Sequence, residues 1–123
     1  MKNKLKIALA QLNPLVGDAF KNVNKLIKIR SSLDDNVDLI VAPELYVSGY
    51  PIDDLVLRED FLILVENQIN KLAKVTKDKK SAIIVGAPRK DNDFIKLCKI
   101  QADLRIGRKG GAKPISQSIS EFL

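Results

Sequence analysis

Asp38-Leu39-Ile40-Val41-Ala42-Pro43-Glu44 is a short apolar run that halts on a proline and an acid. Its length and its branched residues, Ile40 and Val41, favour a buried strand over a helix. On its N-terminal side, Phe20, Val23, Leu26, Ile27 and Leu33 recur at helical spacing, with Lys21, Lys25 and Lys28 facing outward. The pattern predicts an amphipathic helix over about 19–33, with Asp18 as its N-cap. Before that helix, Leu5 to Leu12 is apolar and partly alternating, with Ile7, Leu9 and Gln11 on one face. It is expected to form a strand buried on much of both faces. Asn13-Pro14 and Gly17-Asp18 punctuate the connection. On the C-terminal side, residues 45–58 contain Ser48-Gly49-Tyr50-Pro51 and Asp53-Asp54 and are expected to be loop with a short helical turn. Leu62, Val65, Ile69, Leu72 and Ala73 then mark a second helix over about 59–76, and Ser81 to Pro88 a third buried strand. The order β-α-β-α-β predicts an α/β fold with parallel strands and right-handed crossovers.

Composition excludes several chemistries. The chain has 123 residues, 46% apolar and 29% charged, which suits one soluble domain. It has no histidine, so neither a Ser-His-Asp triad nor an imidazole metal site can form within it. With Cys98 alone, no intramolecular disulfide and no cysteine zinc cluster is possible. No metal ligand set is expected. The apolar run Ile7 to Ala10 stops at Gln11, and the densest stretch, Phe61 to Val65, has five residues. A signal-peptide core needs about 7–15 apolar residues and a spanning helix about 20. A cytoplasmic protein without a membrane partner is expected.

The net charge of +6 is unevenly placed, with +2 over residues 1–93 and +4 over residues 94–123. Those last 30 residues also hold three of the six glycines and no clear helix or strand period. They are expected to be a basic tail, disordered or unrelated to the α/β part, so that the domain boundary falls at 93. A basic stretch can serve nucleic acid, but no aromatic residue interleaves with these cations. Nucleic acid is therefore not an expected partner.

Glu44 is the first candidate for chemistry. In parallel sheets the carboxyl ends of strands are where sites form. A carboxylate half shielded from water there would have a raised pKa and could act as a base. A strand-end glutamate can equally well lie open to solvent or pair with a lysine. The surrounding motif adds a second kind of argument. Pro43-Glu44-Leu45-Tyr46-Val47-Ser48-Gly49-Tyr50-Pro51 resembles the first catalytic motif of the nitrilase, or carbon–nitrogen hydrolase, superfamily. Ile7 to Pro14, Gly17-Asp18 and Asn22 resemble that superfamily's opening strand and helix, and Ile84 to Pro88 its third strand. Asp53-Asp54-Leu55-Val56-Leu57-Arg58 with Phe61-Leu62 is similar to the amidase domain of the glutamine-dependent NAD synthetases. The resemblance covers about residues 5–93 and implies the first part of an αββα sandwich.

Members of that superfamily use a Glu, Lys and Cys set, in which the thiolate attacks an amide carbon and the glutamate shuttles protons. The resemblance implies Glu44 as general base, Tyr50 as a residue lining the substrate pocket, and glutamine as the amide. A turn aromatic packed on its own loop is the other reading of Tyr50. The ammonia would pass to a synthetase domain, to which ATP and magnesium would belong; no cofactor is implied for this chain. The pattern then breaks. Lys109 and Lys113 stand in a Gly-Gly context, and Cys98 in Lys-Leu-Cys-Lys, neither of which matches the family's lysine and cysteine. A thiol activated by Lys96 and Lys99 is the functional reading of Cys98, and an inert cysteine the expected one. The chain is expected to be a fragment of the amidase domain, shortened by a shifted frame or a deletion and inactive alone. The alternative is a small non-catalytic α/β binding module that pairs with a partner chain. A missing half-sandwich would leave residues 39–41 and 83–85 short of cover and favour association through the sheet face, including homo-oligomers.

Overall fold

The computed structural model describes residues 3–91 and 94–102. Strand β1 spans Ile7–Leu9, helix α1 Ala19–Ser32, strand β2 Leu39–Val41, helix α2 Glu59–Val75, strand β3 Ala82–Asp91 and strand β4 Phe94–Ala102. Short 3₁₀ turns at Asp53–Leu57 and Thr76–Asp78 flank α2. The sheet order is β1-β2-β3-β4, parallel between the first three strands and antiparallel between β3 and β4. The β-α-β-α-β order and the parallel pairing are as the sequence implies.

Two crossovers of one hand that step in the same direction along a sheet put both helices on one face. The core records this, since Val23 and Leu26 of α1 and Val65, Ile69 and Leu72 of α2 form one buried cluster with Ile40, Ile83, Val85 and Ala87. Asp18 caps α1 as expected, its side chain accepting from the Lys21 N–H at 3.0 Å. Phe20 departs from the expected core stripe. It is 54% exposed, with the Lys71 ammonium 5.0 Å from its ring centre, and Ala19 and Asn22 occupy the buried positions instead.

The strands are shorter than their apolar runs. After Leu9 the chain folds on itself, Gln11 N–H donating to Leu9 O and Leu12 N–H to Ala10 O. After Val41 the ladder bond from Ala42 N–H to Ile84 O is the last before Pro43, which has no N–H to give. β1 is not buried on both faces: Ala8 packs on the helices, whereas Ile7 and Leu9 are 47% and 70% exposed. The uncovered face is therefore concentrated on β1. Leu39, Ile40, Ile83 and Val85 are buried, and only Val41 and Ile84 of the residues expected to lose cover are half-buried.

The sheet continues past residue 93. β4 pairs with β3 over nine positions, from Asp91↔Phe94 to Ile83↔Ala102. Its run Phe-Ile-Lys-Leu-Cys-Lys-Ile-Gln-Ala does not alternate cleanly, which conceals a strand from a period-two reading. The rest of the expected tail, residues 103–123, lies outside the described residues.

Candidate functional site

Glu44 follows the carboxyl end of β2 and begins a tight turn. Tyr46 N–H donates to Pro43 O at 3.2 Å, and Gly49 N–H to Leu45 O at 2.8 Å. Leu45 takes a left-handed backbone, φ 53°, and its side chain is buried. The turn rests directly on β3. A Cβ on Gly86 would stand 2.7 Å from Leu45 N and 3.3 Å from Glu44 Cα, and Val47 N–H donates to Gly86 O. Only a residue without a side chain allows that approach.

The far side of the turn is fixed to the loop that follows β1. Tyr46 is fully buried, and its hydroxyl donates to Asn22 O at 2.8 Å. Burial raises its pKa. Asn22 Nδ2 donates to Leu15 O at 2.8 Å and to Val47 O at 3.1 Å, while Oδ1 accepts from Leu15 N–H. Gly17 N–H donates to Ser48 O at 2.8 Å. Gly49, with φ 79°, lies so close to this loop that a Cβ would be 2.6 Å from Val16 Cα.

The Glu44 side chain is exposed and makes no hydrogen bond or ion pair among the described residues. The half-shielded carboxylate expected from its strand-end position is not what the structure shows, since no described side chain covers it. Tyr50, on the same turn, is 74% exposed and is not packed on its own loop. Ser48 is no substitute nucleophile: it is fully buried, and its hydroxyl is engaged with Leu45 O and Gly49 O. Backbone position 98 lies opposite Ala87 in the β3–β4 ladder. Lys109 and Lys113 lie outside the described residues.

Hollows elsewhere on the surface do not involve Glu44. One, at the opposite end of the sheet, is lined by Arg30, Asp78, Lys80 and Ser81, and another by Leu62, Glu66 and Arg89. Among the described residues, no group of three or more Asp, Glu, Cys or His could hold a metal ion. No described helix is long and apolar enough to cross a membrane. Sequence reading singled out Glu44 and Tyr50 as site residues and Ser48-Gly49-Tyr50-Pro51 as loop, but gave no part in building the turn to Asn22, Tyr46 or Gly86. The Gly-Tyr-Pro segment signals a turn, but nothing local to Gly86 signals the approach of a chain segment some 40 positions earlier.

What this arrangement offers chemically is an exposed carboxylate, without a hydrogen bond or ion pair among the described residues, presented at the C-terminal edge of a parallel sheet by a turn held on two sides. A family model described as carbon-nitrogen hydrolase matches residues 6–109. The chain is 36% identical over 101 residues to a glutamine-dependent NAD(+) synthetase of Thermotoga maritima, covering 81% of this chain and 18% of that protein. It is 35% identical over 90 residues to the corresponding protein of Aquifex aeolicus, covering 73% and 16%. Among solved structures, the glutamine-dependent NAD+ synthetase of Acinetobacter baumannii superposes with a TM-score of 0.64 at 30% identity, over 77% of this chain and 19% of that one. An amidase from Nesterenkonia sp. gives a TM-score of 0.60 at 16% identity, over 77% and 38%, a likeness of fold. The chain thus spans less than a fifth of the length of these curated relatives.

Proposed function

Because the chain belongs to the carbon–nitrogen hydrolase family, we propose that it is part of a glutamine-hydrolysing, ammonia-supplying domain in which Glu44 is the general base. The observation that carries this reading is the seat of Glu44 on Gly86 at the end of a parallel strand. Relatives at 35–36% identity are glutamine-dependent NAD(+) synthetases, which supports glutamine as the amide. In such a reaction the carboxylate would take the proton of an attacking nucleophile and return it to the departing ammonia. Tyr50, open beside the turn, would line the substrate pocket. ATP and magnesium would serve a synthetase domain, and the site of action would be the cytoplasm.

The chain alone is proposed not to hydrolyse glutamine, since neither Cys98 nor Lys109 or Lys113 stands in a context matching the family's nucleophile and lysine. Ammonia release from glutamine by the purified chain should remain at background and be unchanged by Glu44→Ala. Mixed with the remainder of a relative's amidase domain, the chain should support release that Glu44→Ala abolishes. Steady release by the chain alone, lost in Cys98→Ala, would overturn the claim of inactivity. Complemented release indifferent to Glu44→Ala would overturn the role of Glu44.

The exposure of Ile7 and Leu9 favours a second reading, a non-catalytic module that pairs with a partner chain or a second copy through the sheet. A compact species with a cooperative melt and no complementation of activity would support that reading over the first.

A further inference from the structure

We propose that Asn22 is the positioning residue of this site: its side-chain amide locks the loop after β1 and the turn after β2 into one rim, and so sets where Glu44 is presented. The inference rests on the reading of Glu44 as a base, but its evidence is geometric. Asn22 is buried in the first turn of α1. Its oxygen accepts from Leu15 N–H at 2.8 Å, and its nitrogen donates to Leu15 O at 2.8 Å and to Val47 O at 3.1 Å. One side chain therefore serves as acceptor for one loop and as donor to both.

That requirement is specific to an amide. Aspartate has nearly the same shape and could still accept from Leu15 N–H, but would set a carboxylate oxygen against two carbonyl oxygens. Leucine would satisfy none of the three backbone groups, and the buried Val47 carbonyl would be left without the amide's hydrogen bond. The remaining rim contacts depend on the alignment that Asn22 provides. Gly17 N–H meets Ser48 O, Tyr46 hydroxyl meets Asn22 O, and Gly49 packs against Val16. Glu44 and Leu45 rest on Gly86, and Asn22 holds the carbonyl of Val47 a few residues on, so a turn released from Asn22 would still touch β3 but would no longer hold one orientation.

The opposite end of the sheet supplies an internal control. There Ala82 N–H donates to Asp38 O at 2.9 Å, far from the clamp in the fold. The test is amide hydrogen exchange by NMR on the full chain carrying Asn22→Asp or Asn22→Ser. Exchange of the Gly49 amide, bonded to Leu45 O, should quicken by roughly tenfold or more, with a displaced Glu44 amide resonance, and that of Ala82 by less than about twofold. Equal acceleration at Gly49 and Ala82, or none at either, would overturn the proposal, because Asn22 would then support the fold in general or nothing. Should both variants fail to fold, Asn22→Gln keeps the amide but moves it one methylene away from Leu15 and Val47, and is read in the same way. A localised effect together with ammonia release, in the mixture with the remainder of a relative's amidase domain, that is indifferent to Glu44→Ala would overturn the role of Glu44 while supporting the clamp.

Discussion

Gly86 is the residue on which the site's geometry depends most directly. Its absent side chain is what allows the Glu44–Leu45 backbone to lie on β3, and the atoms a methyl would strike belong to backbone, which cannot swing aside. Gly86→Ala should cost roughly 1–3 kcal/mol, the range for overpacking a tight interior. Urea titration should show the loss, and a structure of the variant should show Glu44 displaced from the strand. Gln68 offers the opposite case. Its Oε1 is buried on α2 without a hydrogen-bond partner among the described residues. Gln68→Met keeps the length and removes the unpaired oxygen, so stability should rise by about 1 kcal/mol, read as a higher Tm. Neither effect is legible locally in the sequence. A glycine in a strand and a glutamine on a helix reveal their roles only when the segments that approach them are known. Glu44 was legible because Pro-Glu after a branched apolar run marks a strand end, whereas its exposure depends on what fails to cover it.

Elements are joined at the end of the sheet away from Glu44 by Arg30, the buried side chain in the last turn of α1. Its guanidinium donates to Ser81 O at 2.8 Å and to both oxygens of Asp78, while Ser81 Oγ donates to Val37 O. One cluster thereby ties α1 to the turn after α2 and to the starts of β2 and β3. The guanidinium beside Asp78 lowers its pKa to about 2. A folded-state pKa below the unfolded one means stability that is complete above about pH 4 and lost as pH falls through about 2. Asp78 is 41% exposed, so screening by solvent should hold this contribution to about 1 kcal/mol. Asp78→Asn should flatten the pH dependence of the melt between about pH 4 and 2 and lower stability at neutral pH. At this scale the sequence was more readable. Helical spacing placed α1 and α2 closely, because periodicity reports the face a helix buries. It misassigned Phe20, whose neighbour Ala19 is small enough to sit under the core, and it overlooked β4, whose pairing is supplied by β3 rather than by its own pattern.

Considered as a whole, the molecule has one face covered by two helices and another with Ile7 and Leu9 open to water at the β1 end. Apolar side chains left exposed in a row favour association. Sedimentation at increasing concentration should show species larger than the monomer, and Leu9→Lys should shift them back towards it without lowering the Tm. A monomer at every concentration would show that the face is tolerated in water. The order of the strands in space has a separate consequence, for the time course of synthesis. Among the described residues each strand lies beside the one before it, so a chain emerging from the ribosome adds each of these strands to an edge already present. Everything that holds Glu44, from Leu15 and Asn22 to Gly86, has been translated by the time β3 is complete. Domains fold as units, the N-terminal ones first, so the contacts that seat Glu44 come from the earliest-made strands and need no strand made after β3.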